Sequence, residues 1–313
     1  MKTVTQADVC CQLHSVGDFI RYAASQFNQA DLYFGHGNDN AWDEAIILVM
    51  YVLALPSSLS EHTMQCRLTE DEKQQVLSVI TRRIDEKLPA AYITQQAIFA
   101  GLPFYVDQRV LVPRSPLAEY IERRFSPLID ENRKLASILD LCTGSGCIAI
   151  ACAHYFPEAD VDALDLSVEA LNVAQINIES HQLMAQVFPI QSDVFSGVEG
   201  QKYDLIVTNP PYVDEEDFDS LPDEFIHEPA IGLGSGVDGL TITKQILAEA
   251  QCYLNDDGLL ICEVGNSQVH LIASYPEVPF TWLSFERGGH GVFMLTKAQL
   301  VEFSELFKKG VKN

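Results

Sequence analysis

From residue 135 onward the chain repeats one pattern, a short aliphatic run followed by a polar or glycine-bearing turn and then a stretch with helical spacing. The aliphatic runs fall at 138–141, 161–164, 186–190, 205–208 and 259–264, with helical stretches between most of them. Short apolar runs of this length read as strands, and strands alternating with helices build a doubly wound parallel sheet. Two more β-rich runs, 281–285 and 292–295, flank Arg287-Gly288-Gly289-His290-Gly291, which has the composition of a hairpin turn, so an antiparallel pair ends the parallel sheet. In open α/β sheets ligands bind outside the carboxyl ends of the strands. The residues that follow each run are therefore the candidates for chemistry.

The fourth run stops abruptly at Asn209-Pro210-Pro211-Tyr212. Proline has no N–H to continue a ladder, so a polar side chain is left at the strand tip. An amide oxygen beside two rigid prolines forms a fixed array of acceptors, and Tyr212 adds a flat apolar wall. Such an array suits a planar NH2 group. The first run leads into Asp140-Leu141-Cys142-Thr143-Gly144-Ser145-Gly146 and a helix over 147–155. Glycines let the backbone turn tightly and approach a ligand, while the helix N-terminus offers free N–H groups. Gly144, Gly146 and Ala149 also satisfy the dinucleotide fingerprint, which admits an NAD-dependent oxidoreductase. Asp140 would repel a pyrophosphate and suits an ammonium group, which favours S-adenosylmethionine.

The second run ends in Asp165, about twenty residues after the glycines, where a carboxylate can accept from both ribose hydroxyls of either cofactor. Leu166 lies beside it, and Ser167 with Glu169 opens the next helix as cap and first-turn acid. After the third run, Ser192-Asp193-Val194-Phe195 offers a carboxylate to an adenine amino group and apolar cover to its face. Strand tips in series make one continuous cleft.

Upstream, the chain reads as a helical domain at 1–90, a β-hairpin linker at 91–114 and the α/β domain at 115–313. Helical spacing runs through 8–29 and 41–55, and a capping-box pattern at Thr69-Glu70-Asp71-Glu72 opens a helix stopped by Leu88-Pro89. Short β-rich runs occur at 98–99, 104–106 and 110–112, and helical character resumes over 117–125. His36, between glycines, reads as a loop or capping residue, and Arg114 as a contact either to a ligand carboxylate or between domains. Residues 1–9 lack the basic and apolar regions of a secretory signal, and the longest apolar run, 45–55, is too short to span a bilayer. The eight cysteines show no C-x-x-C spacing, which argues against a metal or redox site and for the reducing cytoplasm. A formal net charge of −24 opposes direct, sequence-independent nucleic-acid binding and favours a cationic partner, although acidity also serves solubility alone.

The ordered set of residues 140–146, Asp165, Asp193 and Asn209-Pro210-Pro211-Tyr212 resembles the seven-stranded, Rossmann-like S-adenosylmethionine-dependent methyltransferases that modify amide or amino nitrogens. These include adenine-specific DNA methylases and protein glutamine methyltransferases. The helical domain, the hairpin and Val112-Pro113-Arg114 resemble only the glutamine group. Release-factor enzymes of that group carry an aspartate-threonine-glutamate sequence where this chain has Ser115-Pro116-Leu117-Ala118-Glu119. Gly35-His36-Gly37, Trp42-Asp43-Glu44-Ala45, Glu228-Pro229 and Gly288-Gly289 resemble the bacterial branch acting on ribosomal proteins, over nearly the whole chain.

The resemblance implies an S-adenosyl-L-methionine-dependent enzyme of the cytoplasm, without a membrane or direct nucleic-acid partner. It transfers methyl to a glutamine of a basic large-subunit ribosomal protein, protein three. The Asn209 side-chain oxygen and the Pro210 carbonyl would accept both amide N–H bonds, with Tyr212 packed on the amide plane and no acid–base pair. Asp140, Cys142, Thr143, Gly144, Ser145, Gly146, Asp165, Leu166, Asp193, Val194 and Asn209 would hold the cofactor, and the helical domain would recognise the substrate. Cys142 departs from the pattern where many relatives have glycine, and Val194 replaces an aromatic residue of the release-factor branch. The acidic stretch Asp214, Glu215, Glu216, Asp217, Asp219, Asp223 and Glu224 would steer a basic substrate. The other readings are a release-factor glutamine methyltransferase, a DNA adenine methylase and a non-enzymatic ribosome-assembly factor.

Overall fold

The computed structural model describes residues 6–58 and 60–311, so residues 1–5 of the stretch read for a secretory signal lie outside the described residues. Two compact units form, one from Met1–Gln96 with Pro222–His227 and the other from Ala97–Leu221 with Glu228–Asn313.

The first unit is helical. The apolar spacing over 8–29 predicts one helix, but two form, Gln6–Gln12 and Val16–Gln29. Ser15 ends the continuity: its hydroxyl accepts from the Asp18 N–H, and the Asp18 carboxylate accepts from the N–H groups of Ser15 and His14. These bonds offer the backbone an alternative to a continuous helix. They also hold the Asp18 carboxyl below its usual range. Helix Ala41–Val52 stops short of the expected residue 55, with Ala54 in the left-handed region. Helix Glu70–Asp85 starts at the anticipated Thr69 capping box, with Glu72 accepting from Thr69 N–H. Two short helices, Glu61–Gln65 and Ala90–Thr94, and the 3-10 helix Asp223–His227 also belong to this unit. The three longer helices, Val16–Gln29, Ala41–Val52 and Glu70–Asp85, lie against one another and bury Phe19, Ile20, Phe27, Leu48, Val76 and Ile80.

Arg83 is fully buried in this unit. It donates to Glu44 at 2.5 Å, to Glu224 at 3.1 Å and to the Tyr33 carbonyl at 2.9 Å. Glu224 also accepts from the Tyr33 N–H. This corrects the expectation that Glu224 belongs to an exposed steering stretch, since it is only 2% exposed and paired with a buried guanidinium. Phe225 packs on His36 with ring centroids 4.6 Å apart, so His36 serves as a packing residue.

The second unit carries two sheets. The hairpin pairs β1 (Gln96–Phe99) with β2 (Leu102–Tyr105) across Ala100 and Gly101, both left-handed, as a two-residue hairpin turn of type I′ requires. The expected run at 110–112 is not a strand; the Val112 N–H goes to the Glu228 carboxylate at 3.0 Å instead.

The large sheet contains β3 (Ser137–Leu141), β4 (Asp160–Asp165), β5 (Val187–Gln191), β6 (Tyr203–Thr208), β7 (Leu254–Glu263), β8 (Thr281–Trp282) and β9 (Val292–Thr296). Their order is β5-β4-β3-β6-β7-β9-β8. Strands β3 to β7 are parallel, β9 runs antiparallel to β7, and β8 antiparallel to β9. The fold class is therefore the expected seven-stranded α/β sheet with an antiparallel end. Alternate side chains of each central strand enter opposite cores: Ile138, Val161, Leu205 and Ile261 on one face, Leu139, Leu164, Ile206 and Leu260 on the other. Burial on both faces is why these strands read as unbroken apolar runs. Order reverses between β3 and β6, where connections leave in opposite directions and open a crevice at the strands' carboxyl ends. Among the described residues no helix is long and apolar enough to cross a membrane.

Candidate active site

Leu141 pairs with Leu164 on one side and Thr208 on the other, so the tips of β3, β4 and β6 lie level. The loop after β3 turns at once. Cys142 has φ +58°, Gly144 +56° and Gly146 +80°. A β-carbon on Gly144 would meet nothing within 4 Å, whereas one on Gly146 would come 3.2 Å from the Ala174 β-carbon. Gly146 thus permits close helix packing, and Gly144 faces open space. The helix Cys147–Tyr155 follows, with Gly146 at its N-cap.

Asp140 holds this loop from inside. It is fully buried, and one carboxylate oxygen accepts from the Thr143 hydroxyl at 2.6 Å and the Ala149 N–H at 3.0 Å. The other oxygen is enclosed and has no hydrogen-bond partner. Burial pushes the Asp140 carboxyl up to about 7. The Thr143 N–H donates to the Leu164 carbonyl and the Ser145 carbonyl accepts from Asn177, which fixes the loop to β4 and its following helix.

Asp165 accepts from the Gly144 N–H and the Ser167 N–H, both at 2.9 Å. Its carboxyl is raised by burial, with these N–H groups opposing the shift. Leu166 beside it is 51% exposed. The Ser192 N–H donates to the Asp165 carbonyl, carrying the chain to an exposed Asp193 and a buried, left-handed Val194 with φ +48°. The Ser192 hydroxyl, bonded to the Val194 carbonyl at 2.7 Å, secures that turn.

At the tip of β6 the Thr208 hydroxyl donates to the Leu141 carbonyl at 2.8 Å, pinning Asn209 against the β3 loop. The Asn209 side-chain oxygen is closed to solvent and has no hydrogen-bond partner. Pro210 is buried, and Pro211 and Tyr212 are half-buried. The Tyr212 hydroxyl donates to Glu263 at 3.1 Å, and its carbonyl accepts from the Ser267 hydroxyl at 2.7 Å. The Glu263 charge and burial push the Tyr212 phenol well above its usual range, so it stays protonated.

Arg114, left open between two partners by sequence, makes a two-pronged pair with Glu228 at 2.5 and 2.8 Å. Glu263, Ser115 and Ser267 carry no sequence prediction. Glu263 was legible in one respect: it is the lone charge near the end of the run 259–264, at the edge where each preceding strand presents a site residue. Among the described residues no three potential metal ligands gather. The open space over Gly144, the Asp165 carboxylate and the exposed Leu166 fit an adenosyl group with a ribose diol.

Comparisons with known proteins agree on the chemistry. The methyltransferase small domain family matches residues 126–236. A ribosomal protein uL3 glutamine methyltransferase of Francisella tularensis subsp. tularensis is 45% identical over 304 residues, 97% of each chain. One from Neisseria gonorrhoeae is 49% identical over 290 residues, covering 93% of this chain and 97% of that protein.

Proposed function

The chain belongs to the ribosomal protein uL3 glutamine methyltransferases, and on that premise we propose that Asn209 and Pro210 receive the side-chain amide of a uL3 glutamine for N-methylation. The enclosed, unpartnered Asn209 oxygen carries this reading. A buried acceptor left unpaired costs about 1–3 kcal/mol, a cost removed when a substrate N–H reaches it. The Pro210 carbonyl accepts the second N–H. Together they fix the amide nitrogen in position and orientation, which is the largest catalytic contribution assigned here.

S-adenosyl-L-methionine, when bound, supplies an electrophilic methyl group. Residues 142–146 would line its place, Asp165 and Leu166 would meet the ribose, and Asp193 and Val194 would flank the adenine. Asp140 acts through the loop that it holds, because its carboxylate has no exposed surface. Tyr212 is a wall and not a base: its proton is retained and directed at Glu263. An N-methylated amide sheds its extra proton readily to water, so no acid–base pair is required.

The helical unit serves substrate recognition in this reading. Glu215, Glu216, Asp219 and Asp223 are exposed after the tetrad and attract a basic ribosomal protein. The enzyme works in the cytoplasm without nucleic-acid or membrane partners. Mass spectrometry of uL3 from cells carrying Asn209→Ala tests the assignment. Loss of the methyl mass on one glutamine is expected, and an unchanged spectrum overturns it.

A further inference from the structure

Glu263 closes β7 one residue beyond Cys262, which pairs in parallel register with Thr208, so it stands level with Asn209. It is 4% exposed, and a carboxylate so enclosed persists only with partners. Two hydroxyls supply them. The Tyr212 hydroxyl donates to one oxygen at 3.1 Å and the Ser115 hydroxyl to the other at 2.5 Å. Ser115 is itself fixed, accepting from the Leu117 N–H.

Other holds on Tyr212 come from the same strand end. Ser267 bonds its carbonyl, and a β-carbon on Gly265 would stand 2.5 Å from its ring. Gly265 in turn is backed by Gly291, whose own β-carbon would lie 2.3 Å from the Gly265 carbonyl oxygen, and the Val264 N–H donates to the Gly291 carbonyl. The ring edge and carbonyl are thus set by shape and backbone. The hydroxyl end is set by Glu263.

We propose that Glu263 is a positioning residue for methyl transfer, fixing the plane of the Tyr212 ring by accepting its hydroxyl while anchored to Ser115. The inference rests on the reading of Tyr212 as the wall against the substrate amide. What matters is the reach of the side chain, not its charge. Glu263→Gln keeps an oxygen for Tyr212 and a polar group for Ser115. Glu263→Asp keeps the charge but withdraws the carboxylate by one methylene.

The test compares E263Q, E263D, Y212F and the double variant Y212F/E263D, with uL3 as acceptor and the affinity for S-adenosylmethionine measured separately by calorimetric titration. E263Q is expected to stay within about threefold of the parent kcat, the scale of one adjusted hydrogen bond. E263D is expected to lose kcat by roughly tenfold or more, as misplacement of a substrate-orienting group does, at unchanged donor affinity. The double variant should be no slower than Y212F, because the hydroxyl through which Glu263 acts is already gone. The inference is overturned if E263D matches the parent while E263Q is impaired, or if the E263D loss persists in full on the Y212F background. Asn209→Ala, run alongside, separates the two levels: an active N209A enzyme sinks the underlying site assignment, whereas an inactive one with a fully active E263D sinks only the role of Glu263.

Discussion

At the residue scale, Asn209, Asp140 and Cys142 each depart from what an isolated side chain prefers. Asn209→Ala should lower kcat by about a hundredfold or more, in line with losing a preorganised polar contact to the reacting group, with donor affinity little changed; steady-state kinetics and titration check both. Asp140 bears on stability. Its carboxyl rises from 3.8 to about 7 on burial, so between these values the native protein holds a proton that the unfolded chain has released. Its contribution is therefore favourable at low pH and lost as pH climbs through about 7. Asp140→Asn should remove that slope, so its stability relative to the parent rises between pH 4 and 7 and levels off above, by at most about 4 kcal/mol. Denaturant melts across pH would show it. Cys142 takes a left-handed conformation that costs a non-glycine residue roughly 1–2 kcal/mol, and Cys142→Gly, which relieves that strain, should raise the melting temperature. The tip residues were legible because a strand's period assigns each side chain a place. The inward turn of Asp140 was not, since it depends on the hydroxyl and N–H groups that the next turn presents.

At the element scale, the strands were readable to within a few residues at their tips because both faces are buried, leaving no polar alternation to blur the runs. The break at 13–15 was hidden for the opposite reason: the apolar stripe continues across it, while the chain follows the Ser15 capping box. Residues 110–112 have the composition of a strand but satisfy Val112 with a carboxylate 116 positions away, a partner that no local reading contains. The Gly265 turn makes a sharp prediction. Gly265→Ala would drive a methyl group into the Tyr212 ring from a backbone already at φ +45°, so stability and kcat should both fall, whereas Gly144→Ala meets no protein atom, costs stability only its backbone strain, and weakens donor binding by putting a methyl into the space over the loop. Paired melting curves and kcat values distinguish them.

At the scale of the whole molecule, charge and chain path dominate. If the exposed acids after the tetrad steer uL3, added salt should raise the apparent KM for that protein and leave kcat nearly unchanged; a salt-independent KM excludes steering. Removing Glu224 acts differently, for it leaves the buried Arg83 guanidinium with only the Glu44 carboxylate and the Tyr33 carbonyl of the partners described above. Glu224→Ala should destabilise the helical unit by about 3 kcal/mol or more, read in a chemical melt. Pro222–His227 belongs to that unit although 125 residues of the other precede it in the chain. The helical unit is consequently a discontinuous domain, and no single cut or splice point delivers it whole. A chimera that grafts another relative's first 96 residues onto this catalytic unit would inherit a mismatched plug, so the hexapeptide and the N-terminal segment must be exchanged together, and substitutions that settle in one are expected to be answered in the other.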